Sequence, residues 1–408
     1  MLTNEIKETF LRYYSERGCQ ICSSFPITLV DDPTLLFVNA TIAPLKYLYL
    51  RNNIFSMERY ALVQRCLRLG GASELKNVGV NPSCHTFFEM MGASMFRMDL
   101  KEAISDFLGF LKIVGLNFKN LFFIVPERSE RFKESLQKCN VSADRILGIR
   151  ENGLFWQYWQ FGIPGPAGYG MTVIFSPLEH DSVDMGYIMN NINNFLEFAN
   201  VIYVTGFVDK NEHKTSLICP GFDIGIGVER LAAILQNCNN YEIDNIKPLM
   251  RVVVKFLRDS GVKKNFLFQE TVRIITDHLR AACVLISEGV EPANKMHGYV
   301  LRKLIRRTLT KIWLLSEKDI LIRDLVFEFS LTAEKVGLNG VLQSQELIEQ
   351  IIERESLSFS KAIRRGIQVL QSNQEMDLDY LRDTFGLPKE LAEFIKKRKE
   401  RGLVKCQH

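Results

Sequence analysis

His85-Thr-Phe-Phe-Glu89-Met90 sets a carboxylate in an aromatic run, downstream of the arginine cluster Arg65-Cys-Leu-Arg68. Far along the chain, Gly225-Ile-Gly-Val-Glu229-Arg230 makes a Gly-x-Gly turn that opens onto an acid–base pair. Forked, charge-assisted donors suit phosphate, and a guanidinium stacks on a planar base. A glutamate suits Mg²⁺. Read together, the two stretches predict a nucleotide-activating site whose charged groups are Arg68, Glu89, Glu229 and Arg230.

Around these stretches the chain changes character once. Upstream, short β-like runs cluster at 27–30, 35–38, 121–125 and 202–208, punctuated by Pro and Gly. Residues 1–20 read as a helix stopped at Gly18, and 100–111 as another. Strands that cluster rather than alternate with helices predict an α+β fold with a mostly antiparallel sheet. From about residue 229 onward, 231–235, 246–257, 272–287, 299–315 and 342–370 carry the 3.6-residue period, and strand-like runs nearly vanish. Two domains are expected, 1–240 and 241–408, joined near 239–244. No internal repeat or low-complexity segment interrupts them.

Composition narrows the class. A chain of 408 residues exceeds one ordinary core. Its 47% apolar and 24% charged residues are those of a globular protein. A net charge of only +4 means that any nucleic-acid surface must be local. The N-terminus is polar, and no run of about 18 uncharged apolar residues occurs. A cytoplasmic protein with no membrane partner is expected. Nine scattered cysteines suit free thiols, and Cys19-Gln-Ile-Cys22 has no second pair to complete a zinc site.

Several stretches in order carry a resemblance. Asp32-Pro-Thr-Leu-Leu-Phe-Val-Asn39, Gln64-Arg-Cys-Leu-Arg68, His85 to Met90 and Phe222-Asp-Ile-Gly225 through Arg230 resemble motifs 1, 2 and 3 of class II alanyl-tRNA synthetases. The similarity continues through Arg273-Ile-Ile-Thr-Asp277-His278, Gly298 to Arg307 and Asp383-Thr-Phe-Gly-Leu-Pro388. It implies an antiparallel sheet flanked by helices, then an all-helical tRNA-recognition domain. It implies that Arg68 grips the α-phosphate, that Arg230 stacks on adenine, and that Glu89 and Glu229 position ATP or hold Mg²⁺. His85, Phe88, Met90 and Gly227 complete the implied ATP site. Asp223 matches the residue that holds the substrate ammonium; Asn200, Trp156 and Gly225 match the amino-acid pocket. Asn294 and Asp383 match the pair that reads a wobble pair in the acceptor stem. The implied substrates are ATP with Mg²⁺, alanine and tRNA.

The basic stripe is also legible in the residues. Arg302/Arg306 and Lys303/Arg307 are i, i+4 pairs on one face, while Leu301, Leu304, Ile305 and Leu309 face inward. Departures from the family lie nearby. Its Gly-Pro-Cys-Gly-Pro-Cys-Ser/Thr-Glu run is here Gly162-Ile-Pro-Gly-Pro-Ala167-Gly-Tyr169, so no zinc is expected at those positions. The family continues into editing and C-terminal domains that this sequence does not contain, so a monomer without editing is expected. Two other readings stay open: a paralogue activating a small amino acid for natural-product or peptide biosynthesis, and a non-catalytic RNA-binding relative.

Overall fold

Strand pairing in the N-terminal half is continuous. The computed structural model describes residues 1–29, 32, 34–51, 57–70, 75–150, 158–180, 182–372 and 376–400. Among these, nine strands make one sheet. They are β1 (Gln20–Ile21), β2 (Glu58–Leu67), β3 (Phe87–Phe96), β4 (Leu121–Pro126), β5 (Ile146–Ile149), β6 (Tyr158–Gln160), β7 (Gly165–Phe175), β8 (Leu196–Val208) and β9 (Lys214–Gly227). The order is β1-β2-β3-β9-β8-β7-β4-β5, with β6 on β7. Only β1–β2 and β4–β5 are parallel. The fold is therefore the α+β class with the mostly antiparallel sheet expected from the sequence. Two expected strands, 27–30 and 35–38, do not form among the described residues: 27–29 and 35–38 are irregular, and Val30 lies outside the described residues. Val38 still donates to the Ile27 carbonyl at 2.8 Å, but Thr34 turns back onto the Asp32 carboxylate at 3.0 Å, and this Asx-type turn bends the run.

The helices of this unit are α1 (Thr3–Ser15), α2 (Lys46–Tyr49), α3 (Leu100–Ile113), α4 (Glu130–Lys138), α5 (Met185–Asn190) and α6 (Val228–Leu235). The amphipathic face of α3 buries Ile104, Phe107, Phe110 and Leu111, and Asp99 caps its start by accepting from the Lys101 amide at 2.8 Å. Phe10 of α1 meets Phe110 edge-on at 5.2 Å. The Asp244 carboxylate accepts from the Thr3 amide at 3.1 Å, placing an anion at the positive end of α1. On the other sheet face Ile42, Leu45, Leu48 and Tyr49 pack on Leu62, Phe96, Ile202 and Val204. This close cover explains Gly92: a Cβ there would lie 2.2 Å from the Thr41 hydroxyl oxygen.

The chain divides into two compact units, Met1–Arg68 with Phe87–Asp244, and Leu69–Thr86 with Asn245–His408. The second is helical: α7 (Lys247–Asp259), α8 (Phe268–Ser287), α9 (Met296–Ser316), α10 (Arg323–Lys335), α11 (Gln345–Ser372), α12 (Leu378–Phe385) and α13 (Lys389–Glu400). Helix α8 is its hub, buried almost all round from Val272 to Ile286. The 69–86 segment packs on it: a Cβ at Gly79, whose φ is +86°, would lie 2.5 Å from Ile274. Leu301, Leu304, Ile305 and Leu309 of α9 are buried, as their spacing predicts. No disulfide links the described cysteines, and burial pushes the Cys19 and Cys283 thiols up to about 12. No described helix is long and apolar enough to cross a membrane.

Candidate active site

Side-chain alternation along β3, β9 and β8 decides which residues meet. Gly92, Gly225 and Asn200 are register partners; two residues along, so are Ser94, Asp223 and Ile202. Phe88, Met90, Gly92 and Ser94 thus share one sheet face with Asp223, Gly225, Gly227 and Asn200. Gly225 and Gly227 contribute only backbone and leave a partly open floor.

Each polar group on this face is held. Asp223 is 3% exposed and accepts from the Ser94 hydroxyl at 3.5 Å. Burial pushes its carboxyl up to about 7, against the opposing pull of the Ser94 hydrogen bond. Asn200 accepts from the Thr172 hydroxyl at 2.6 Å and donates to the Glu197 carboxylate at 3.1 Å. Arg230, in the first turn of α6, donates to the Glu197 carbonyl at 2.8 Å, so Glu197 ties Asn200 to Arg230. Arg68 leaves the end of β2 on the same face. Its Nε donates to the Asn39 carbonyl at 2.9 Å and its guanidinium lies 5.0 Å from the Phe88 ring centre.

Glu89 is the exception. Alternation turns it to the opposite face, where it is 6% exposed and paired to Lys7 of α1 at 2.9 Å. Its amide donates to the buried Glu229 carboxylate at 3.1 Å. Both glutamates are thus engaged inside the fold rather than presented on the glycine floor, unlike the sequence-based expectation for ATP or Mg²⁺. His85 belongs to the second unit, its ring buried with Nδ1 3.3 Å from Asp277. Asp277 also accepts from the Thr86 amide at 2.9 Å and contacts His278 Nδ1 at 3.0 Å. Burial alone would raise that carboxyl; the bonds to His278 and His85 outweigh it and hold it well below the usual range. Trp156 lies in 151–157, outside the described residues. Sequence reading missed Ser94, Thr172, Glu197 and Lys7. No spacing announces that the Asn39 carbonyl will hold an arginine.

In the second unit, Arg302 and Arg306 share the buried Glu355 of α11, at 3.3 and 2.6 Å. Arg302 also bonds the Asn294 side chain. Part of the basic stripe is therefore neutralised from below. Beside it opens a cavity of about 790 Å³ lined by Arg306, Arg354, Lys361, Arg365 and Phe385. Asp383 is exposed and paired to Arg382 at 2.7 Å, which lowers its carboxyl. Among the described residues no group of three or more His, Cys, Asp or Glu is arranged to hold a metal ion.

Comparison with known proteins adds a second line. The family described as tRNA synthetases class II (A) matches residues 5–405. The alanine–tRNA ligase of Idiomarina loihiensis is 32% identical over 418 residues, covering 98% of this chain and 47% of that protein. The alanine–tRNA ligase of Dichelobacter nodosus is 32% identical over 432 residues, covering 99% and 48%. The chain spans about half the length of these relatives. Among solved structures, a pyrrolysyl tRNA synthetase from Desulfitobacterium hafniense overlaps with a TM-score of 0.34 at 12% identity, over 59% of this chain and 71% of that one.

Proposed function

Because the chain belongs to the class II tRNA synthetases, we propose that it activates alanine with ATP and transfers the alanyl group to the 3′ end of an alanine-accepting tRNA. The observation that supports this reading most is convergence on one sheet face: Arg68 on Phe88, Asp223 beside Ser94, and Asn200 tied through Glu197 to Arg230.

In the first step an oxygen of the amino-acid carboxylate attacks the α-phosphorus, the α–β bond breaks and pyrophosphate leaves. Arg68 supplies donors to the α-phosphate as charge builds there. Arg230 offers its guanidinium plane to the base. The glycine floor lets the substrate approach the backbone, and Asp223 holds the ammonium. In the second step a terminal hydroxyl of the tRNA attacks the carbonyl carbon and AMP leaves. Mg²⁺ enters as the ATP chelate. No protein carboxylate is assigned to it, because Glu229 is buried against the Glu89 amide.

Methyl-sized discrimination in such a pocket is weak, about 10- to 200-fold. Serine and glycine are expected to drive pyrophosphate exchange within that range of alanine. Alanine exchange with neither of the other two detectable would contradict the pocket assignment. In the second unit, Asp383→Ala is expected to cut charging of an alanine acceptor minihelix by roughly 10- to 100-fold while leaving exchange intact. Equal loss of both steps would argue against a recognition role.

One observation favours the paralogue reading. At positions 168 and 170, register partners of Val204 and Ile202, the site face carries glycine, and Tyr169 turns to the other side. Where the family's run ends in Ser/Thr and Glu, this chain has Gly168 and Tyr169. Exchange with alanine but no charging of tRNA would favour that reading. No exchange with any amino acid would leave only an RNA-binding role.

A further inference from the structure

The reverse face of the same sheet carries a second cavity, also of about 790 Å³. Tyr203 fixes the face: it stacks on Phe222 at 4.7 Å, one residue out of phase with Ile202 and Asp223. Tyr169, its register partner on β7, packs on Tyr158 with ring centres 4.9 Å apart and is 42% exposed. Arg131 of α4 lies 5.6 Å from the Tyr203 ring centre, and Arg128 lines the same wall. The lining holds one acid, Glu127, and it is paired to Arg150 at 3.1 Å. Among the described residues no carboxylate forms an ion pair with Arg128 or Arg131. The volume falls within the roughly 300–1,000 Å³ of small-ligand sites.

We propose that this cavity binds a nucleotide unit, with its base on the Tyr169–Tyr203 wall and its phosphate on Arg128 and Arg131. An inorganic anion would make no use of the exposed Tyr169 ring, and an uncharged aromatic would leave two guanidiniums without a counter-charge. Stacking on tyrosine tolerates any base, and a guanidinium fork matches phosphate. The unit arrives either as a free mononucleotide or as an unpaired nucleotide of an RNA strand. None of these four residues takes part in the adenylation chemistry on the opposite face.

Equilibrium binding of AMP and of hexauridylate tests the assignment. The proteins compared are the wild-type chain, the Arg128→Glu/Arg131→Glu variant and Tyr169→Ala. The positions are exposed or at the cavity wall, so thermal unfolding midpoints should match. The double variant and Tyr169→Ala should each weaken binding at this cavity at least tenfold. Wild type should bind two AMP per chain if the Arg68 face also takes nucleotide, and one if it does not. Either way the difference between the proteins reads the reverse-face cavity. Weakening confined to AMP assigns a free nucleotide; weakening of hexauridylate as well assigns a strand. Unchanged isotherms, or sensitivity to charge reversal with none to Tyr169→Ala, would overturn the proposal.

Discussion

Arg68→Ala should lower amino-acid-dependent ATP–pyrophosphate exchange by about 10²–10³-fold, the loss typical of removing one preorganised donor from a developing charge. Arg68 is exposed at the end of β2, where it donates to the Asn39 carbonyl and lies over the Phe88 ring, so its truncation opens no cavity in the core. The unfolding midpoint should therefore not move. The loss should fall mainly on kcat, because the contact strengthens as negative charge gathers on the α-phosphoryl oxygens. Arg68→Lys should recover little, since an ammonium lacks the fork that grips two oxygens and stacks on an aromatic ring. Steady-state exchange kinetics on the three proteins check this. A loss confined to the KM for ATP would assign Arg68 to uniform binding instead.

Asp223→Asn carries the other large effect. Removing one partner of a buried charge pair costs about 2–5 kcal/mol. Amino-acid-dependent kcat/KM should therefore fall by roughly 30- to 4,000-fold at one tenfold per 1.4 kcal/mol. The pH profile gives an independent readout. Burial raises this carboxyl to about 7, so in the free protein the ammonium-binding carboxylate forms only as pH climbs through that value. Wild-type kcat/KM should drop about tenfold per unit below it. Stability runs the opposite way. Between the ordinary value of 3.8 and about 7 the folded chain keeps a proton that the unfolded chain has released. Stability therefore falls as pH rises across that window and is flat above it. The asparagine variant lacks that slope. It should be far less active yet no less stable at pH 8, a combination that a merely structural Asp223 would not produce.

Much of this was legible in residues, and the exceptions have physical causes. The long helices carried their period openly, and Leu301, Leu304, Ile305 and Leu309 face inward as spaced. The central strands were harder. β9 and β7 are rich in glycine, which strand propensity disfavours, and Gly92 is there because Thr41 occupies the space above it. Motifs single out Arg68, Asp223, Asn200 and Arg230, and strand register sets Asp223 and Asn200 on one sheet face. A motif gives order along the chain while the pleat decides the face, and the pleat turns Glu89 towards Lys7. His85 shows the same limit: its segment joins the second unit through Asp277, a contact between residues far apart in sequence. The partners Ser94, Thr172 and Glu197 are polar residues inside strands, and only cross-strand pairing gives them meaning.

ATP–pyrophosphate exchange with each of the standard amino acids, on the purified chain, tests adenylation most directly. Exchange should be strongest with alanine, weaker with serine and glycine, and lowered by roughly 30-fold or more by Asp223→Asn. Absence of exchange with every amino acid at saturating ATP would contradict the adenylation assignment.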